Sequence, residues 1–275
     1  MLLVFAGVMG LVIGSFLNVV IWRVPRGESL VPASRCPGCG VAIRPWQNVP
    51  VLSWLALRGK CAKCSQRIRA RYPLIELATG VTFVLVVWWY QAAFGAPGEG
   101  RAAVSWWVGL LAYLWFAAVG IALAAIDVEL KRLPDAIVLP SLAVVGILLL
   151  GSAALTGDWE RALTVLIAGV ALFLFFFLMI LVYPAGMGFG DVKLAPLIGM
   201  AMGFVGWPAV AVGAFAGFLI GAMVGLGAIA LNSRARAEGR KHAIPFGPWM
   251  LVGSWVGIVW GDSIMRAYLR FTGLA

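Results

Sequence analysis

Residues 163–182 run from leucine to valine without one charged side chain. A run of that length constrains the chain more than any single motif. About 20 apolar residues are enough to cross the hydrocarbon core of a bilayer as a helix. In lipid every backbone polar group has to be satisfied internally, which leaves helices and closed barrels as the spanning structures. Further apolar runs occupy 1–22, 73–94, 102–126, 136–155 and 246–261. Residues 194–231 are too many for one span, and the stretch 203–208 is expected to break them into a short helix and a longer one. The expectation is an all-α polytopic membrane protein with about eight transmembrane helices. Composition agrees: 63% of residues are hydrophobic and 12% charged, against roughly a quarter charged in soluble domains.

Arg23 and Arg26 follow the first apolar run. A secretory signal peptide carries its positive charges before the apolar part, so residues 1–22 read as an uncleaved anchor with its N-terminus outside. The formal charge of +10 admits a nucleic-acid binder or a protein whose Lys and Arg gather in cytoplasmic loops. Threading the spans from an outside N-terminus puts 23–72, 127–135, 184–193 and 232–245 on the cytoplasmic side. Those segments hold seventeen of the 21 Lys and Arg; Arg101, Arg161, Arg266 and Arg270 fall outside. That bias is the positive-inside rule. It accounts for the charge with no nucleic-acid partner, and it makes 234–241 a loop facing lipid headgroups.

Residues 23–72 form the one extended hydrophilic segment, and all four cysteines lie in it. Cys36 and Cys39 are one C-x-x-C pair, Cys61 and Cys64 a second. Each pair has the spacing that lets two thiolates grip one ion, and four thiolates close a tetrahedral structural zinc site. Metal binding then supplies folding energy to a segment with little core of its own. Disulfides or a redox C-x-x-C are the alternatives. The cytoplasmic side is reducing, and no thioredoxin-like pattern surrounds either pair.

The second unusual stretch is 184–193, where Gly186, Gly188 and Gly190 precede Asp191. Irregular backbone at membrane depth is tolerated where protein buries it or water reaches it. An ionisable residue there marks a functional site, and its partner should be named. The threading brings Asp127 to the same membrane edge. Two carboxylates sharing one site cannot both ionise easily, so the pair holds a single proton. One member can then deprotonate a water while the other donates to a carbonyl oxygen. The chain's one histidine is His242, in a basic loop, which leaves no credible Ser-His-Asp arrangement. The plainer reading is that acids at a membrane edge cap helices and pair with Lys131, Arg132 and Lys193. That reading is kept for Glu129 and for Asp135, which stands where a helix N-cap belongs.

These residues resemble the type IV prepilin peptidases, bifunctional leader peptidases and N-methyltransferases of the GxGD class of intramembrane aspartyl proteases. Gly188-Phe189-Gly190-Asp191 looks like that class's second catalytic motif, with Gly188 and Gly190 as catalytic-loop backbone. The run from Ile126 to Asp135 looks like the first, and its leading acid is Asp127. The stretch from Gly14 to Val20, the segment from Ser34 to Pro50 with the second cysteine pair, Arg71 to Glu76, and Ile244 to Pro248 are similar to further family motifs in the same order. The resemblance implies Asp127 and Asp191 as catalytic residues, and Cys36, Cys39, Cys61 and Cys64 as zinc ligands. It also implies S-adenosylmethionine as methyl donor and a prepilin or pseudopilin as substrate, in the inner membrane.

The implied organisation is 1–22 as first transmembrane helix, 23–72 as cytoplasmic tetracysteine domain and 73–275 as transmembrane protease domain. No glycine-rich nucleotide signature is visible, so methylation rests on the resemblance alone. A leader peptidase without methyltransferase activity is one alternative. A proton-relay transporter or zinc-stapled scaffold is another, although a transporter places its ionisable groups near the midplane. Nothing in the sequence fixes an oligomeric state or the donor's pocket.

Overall fold

The computed structural model describes residues 1–31, 33–183, 187–231 and 245–274. The expected headgroup-facing loop at 234–241, His242, Ile244 and the opening of the glycine stretch (Pro184, Ala185 and Gly186) lie outside the described residues. Within them the fold is helical, and two isolated bridges are the only extended pairing. The described helices are α1 (Leu2–Arg23), α2 (Leu52–Ala56), α3 (Arg71–Phe94), α4 (Gly100–Leu130), α5 (Asp135–Thr156), α6 (Trp159–Val182), α7 (Phe189–Val205), α8 (Trp207–Leu231) and α9 (Gly247–Phe271).

Six of these are long and apolar enough to cross a membrane: α1, α3, α4, α5, α6 and α8. The other two of the eight expected spans differ in a way their residues explain. The α7 helix has 17 residues, short of a full crossing at 1.5 Å per residue. The α9 helix runs past Gly261 into Asp262, Arg266 and Arg270. Between α7 and α8 the break stands where the sequence places it, at Gly206, whose φ of 137° a side chain would resist.

The chain packs as two compact units. The first comprises Met1–Ala96 with Ala117–Ala122, the second Pro97–Phe116 with Leu123–Ala275. In the first, α1 lies against α3 at very short range. A Cβ on Gly10 would stand 2.7 Å from both the Gly80 Cα and the Thr79 carbonyl oxygen. Small residues that let two backbones approach are the main packing device where lipid removes the hydrophobic drive between helices. Buried Asn18 adds a polar link, its Nδ2 donating to the Tyr72 carbonyl at 3.1 Å.

The second unit uses the same device between α8 and α9, where Gly253 meets the backbone of Gly217 and Gly213. Two buried polar contacts tie α4 to its neighbours. Ser105 Oγ donates to the Ser152 carbonyl of α5 at 2.7 Å, and Tyr113 Oη to the Ala201 carbonyl of α7 at 2.7 Å.

Two helix ends differ from the sequence reading. Asp127 was expected just after a span, yet α4 continues to Leu130, and Asp127 stands in its last turn. Continuing the helix keeps backbone groups satisfied at the membrane edge. The chain leaves the helix at Lys131, which is left-handed at φ 52°, its N–H reaching the Asp127 carbonyl at 2.8 Å. Asp135 is not the N-cap of α5. Pro134, at φ −65° and ψ 128°, takes that place and leaves Asp135 as the first helical residue. There its charge suits the helix N-terminus, and it holds the Lys193 ammonium at 2.7 Å.

Candidate functional site

Three helix ends and a connection converge at one end of the second unit: the last turn of α4, the 131–134 connection, and the first turns of α7 and α9. Leu133 is the piece they share. A Cβ on Gly190 of α7 would press on the Leu133 Cβ at 3.1 Å, and one on Gly247 of α9 would meet the Leu133 Cδ1 at 3.3 Å. Glycine at both positions is explained by space rather than by torsion. Gly190 lies in the first turn of α7, not in a loop, and Gly188 is the N-cap with ordinary extended torsions, φ −78° and ψ 145°.

Asp127 and Asp191 both face into this junction and are 5% and 7% exposed. The N–H of Gly188 serves the Asp191 carboxylate, and the Asp127 charge acts directly on it. Across from them, the N–H of Gly247 serves the Asp127 carboxylate. Asp127 Oδ2 is buried and has no hydrogen-bond partner. It would lie 2.8 Å from a Cβ on Gly247. A buried carboxylate oxygen without a donor is costly, and such atoms call for an explanation such as a water or a substrate group. Two buried carboxylates at one junction, one with an oxygen that no donor serves, suit activation of a water against a carbonyl. Gly247 and Leu133 were not singled out from the sequence as site residues. The signal for Gly247 was present in the stretch from Ile244 to Pro248, but its place beside Asp127 needed the fold.

The four cysteines form the second candidate site, within the first unit. Their sulfurs all lie within 4.8 Å of one another, and Cys36 Sγ is 3.7 Å from Cys64 Sγ. The two pairs are built alike. Cys36 N–H donates to Val41 O and accepts Gly40 N–H on its own carbonyl, both at 2.9 Å. Cys61 repeats this with Gln66 O at 2.9 Å and Ser65 N–H at 3.0 Å. Each turn needs a left-handed residue just after its second cysteine: Gly40 at φ 68° and Ser65 at φ 57°.

The amides inside each turn point at its first sulfur. The N–H groups of Cys64 and Lys63 pull the Cys61 thiol down to about 6, and those of Cys39 and Gly38 lower Cys36. Cys64 moves the other way. The N–H of Gln66 favours its thiolate, but loss of water and the Cys39, Cys61 and Cys36 sulfurs push it up to about 11. Four thiols that cannot all ionise together are what a soft divalent ion resolves, because it binds thiolates and displaces their protons. These residues are positioned to hold a metal ion.

The chain is similar to known proteins over nearly its whole length. Residues 8–90 match the Bacterial Peptidase A24 N-terminal domain, and residues 112–226 match the Type IV leader peptidase family. The chain is 36% identical to the prepilin leader peptidase/N-methyltransferase of Stutzerimonas stutzeri, over 97% of this chain and 93% of that protein. The same-named protein of Aeromonas hydrophila is 37% identical over 94% and 91%. That of Neisseria gonorrhoeae is 36% identical over 95% and 92%. No solved structure matches significantly.

Proposed function

Since the chain belongs to the type IV leader peptidase family, we propose that Asp127 and Asp191 are the acids with which it cuts. The protein is a multi-pass inner-membrane prepilin leader peptidase and N-methyltransferase. The observation that carries the assignment is the meeting of two buried carboxylates at one helix junction, where the Asp127 charge acts on Asp191.

In this reading one carboxylate is ionised and the other protonated. The ionised one takes a proton from water as the water oxygen attacks the scissile carbonyl carbon. The protonated one gives its proton to the carbonyl oxygen. The tetrahedral diol then collapses, the C–N bond breaks, and the amine leaves with a proton returned by the pair. No covalent intermediate forms. Asp127 Oδ2, which no donor serves, can accept from the water. Gly190 and Gly247 let Leu133 pack beside the two acids, and Gly188, with no atom closer than 3.7 Å to its missing Cβ, leaves the backbone approachable next to Asp191. Gly188 and Gly190 thus act through their backbone.

The substrate is a prepilin or pseudopilin whose polar leader stays in water while its apolar helix stays in lipid. Seventeen of 21 basic residues support a topology with the N-terminus outside and both sites on the cytoplasmic side. We divide the chain into 1–22 as first span, 23–72 as tetracysteine domain and 73–275 as protease domain. Partners are the substrate and the bilayer, with no nucleic acid.

We assign zinc to the four cysteines. Sulfurs 2.3 Å from a tetrahedral zinc stand about 3.8 Å apart, which the 3.7 Å between Cys36 and Cys64 fits. Four protein ligands leave no open position, so its role is structural. S-adenosylmethionine supplies the methyl group when bound. No strand-turn-helix cradle of the Rossmann kind occurs among the described residues, and its binding is assigned to no residue here.

The test incubates membrane-embedded protein with a prepilin and follows leader loss by mass. Asp127→Ala and Asp191→Ala should each abolish it while the protein still inserts and keeps its metal. Normal processing by either variant removes that residue from the mechanism.

A further inference from the structure

Residues 45–58 lie between the two cysteine turns and take no part in holding their sulfurs. Their most unusual point is Val51, with φ 61° and ψ −50°. Leu52 N–H reaches back to the Pro50 carbonyl at 2.6 Å, which makes a γ-turn of the rare positive-φ kind. A β-branched residue is a true outlier there, and such strain persists only where surroundings over-determine it. Here the Val51 N–H donates to Glu76 Oε2 at 2.7 Å. Glu76 is 8% exposed, in the second turn of the membrane-spanning α3, and its Cα is met by Gly14 of α1. The strained turn is therefore fastened to the membrane end of the α1–α3 pair.

That fastening sets which way the segment faces. Trp54 turns inward, its Nε1 donating to the Ile68 carbonyl at 3.3 Å and its ring lying against Gly59. Trp46, Val49, Leu52 and Leu55 are left 62%, 42%, 65% and 58% exposed. The Arg44 guanidinium lies 5.1 Å over the Trp46 ring, and Arg26 lies 3.7 Å over Trp22 at the end of α1. Apolar stems with aromatic and guanidinium tips are the composition of a membrane interface.

We propose that Trp46, Val49, Leu52 and Leu55 are a membrane-contacting foot that seats the cysteine segment on an anionic lipid surface. Two observations favour lipid as the occupant. The foot is continuous, through Glu76, with helices that already cross the bilayer. The segment 23–72 carries ten Lys and Arg against the single acid Glu28, a charge complementary to acidic headgroups.

The test uses the full chain in nanodiscs of phosphatidylcholine with phosphatidylglycerol. Leu52→p-benzoylphenylalanine, Leu55→p-benzoylphenylalanine and, as control on a cysteine turn, Lys63→p-benzoylphenylalanine are photolysed and their peptides weighed. Lipid adducts on the order of tenfold more abundant at 52 and 55 than at 63 are expected for an interfacial foot. Equal yields, or adducts to protein instead of lipid, overturn the proposal. Metal content identifies any variant that misfolds. In the unaltered protein, amide exchange across 45–58 should be slower with phosphatidylglycerol than in phosphatidylcholine alone; equal exchange overturns the anionic preference.

Discussion

Asp127 Oδ2 lies 2.8 Å from the point where a Cβ on Gly247 would stand, so a residue at the start of the last helix shapes access to an acid on α4. The same backbone position presents its N–H to that carboxylate. Gly247→Ala should thus shift Asp127 or crowd its Oδ2. Displacements of about 1 Å near reacting groups cost on the order of 10²-fold in rate, and a loss of that size in leader release is expected. Rates on a prepilin by mass spectrometry check it, with helicity by circular dichroism to show that the fold survives. A Gly247→Ala enzyme at full rate would mean the carboxylate is approached from elsewhere.

Asp135 and Lys193 offer the contrast. Their pair is close, but Asp135 is 54% exposed, and exposed pairs contribute about 0–1 kcal/mol. Asp135→Asn should leave leader release within about a factor of three, consistent with a loss of no more than about 0.7 kcal/mol. A collapse in rate would place Asp135 among the working acids, and a titration of rate against substrate would reveal it.

The cysteine cluster should respond to acid in one direction. Cys61 is lowered from 9.0 to about 6, so its thiolate is present above that pH and is lost as pH falls through it. Metal release is expected on lowering the pH, because protons compete with the ion for the thiolates, and not on raising it toward 9. Metal content after dialysis at stepped pH reads this directly.

Removing the metal should loosen the segment around the cysteines without stopping the cut. Cys36→Ser is expected to make 24–70 sensitive to trypsin and to reduce methylation more than leader release. Limited proteolysis and intact mass on the same sample separate the three effects. Loss of leader release in step with methylation would tie the two activities to one piece of structure.

Val51 provides a test of stored strain. Val51→Gly should raise thermal stability by up to about 1 kcal/mol, because glycine adopts the torsions freely, although the unfolded chain also gains freedom. Glu76→Ala leaves the Val51 N–H without its acceptor and should cost about 1–3 kcal/mol. Unfolding midpoints in one detergent compare the three proteins.

The spans were legible in the sequence because lipid demands length and apolarity, and α5, α6 and the break at Gly206 stand close to where those demands put them. Helix ends were less legible. A charged Asp127 reads as leaving the membrane, yet backbone pairing carries α4 one turn further, and Asp135 reads as a cap because the locked torsions of Pro134 are invisible to a capping rule. The four cysteines announced themselves by spacing, since each pair closes over a few residues. Leu133, Gly247 and the turn at Val51 did not. Their roles arise from side chains and backbones brought together across long stretches of sequence, and no local pattern encodes such a meeting.

The likeness of the two cysteine turns has a consequence for how the segment is assembled. Each turn closes its own hydrogen bonds within six residues, so neither half waits for the other to take shape. Across the residues between Cys39 and Cys61 the halves meet through Cys36 Sγ and Gln66 Oε1 at 3.7 Å, and an ion held by the four sulfurs would complete that long-range closure. Because closing a loop costs only logarithmically in its length, residues inserted between the halves should slow capture of the metal little, whereas one residue added inside either half should abolish it.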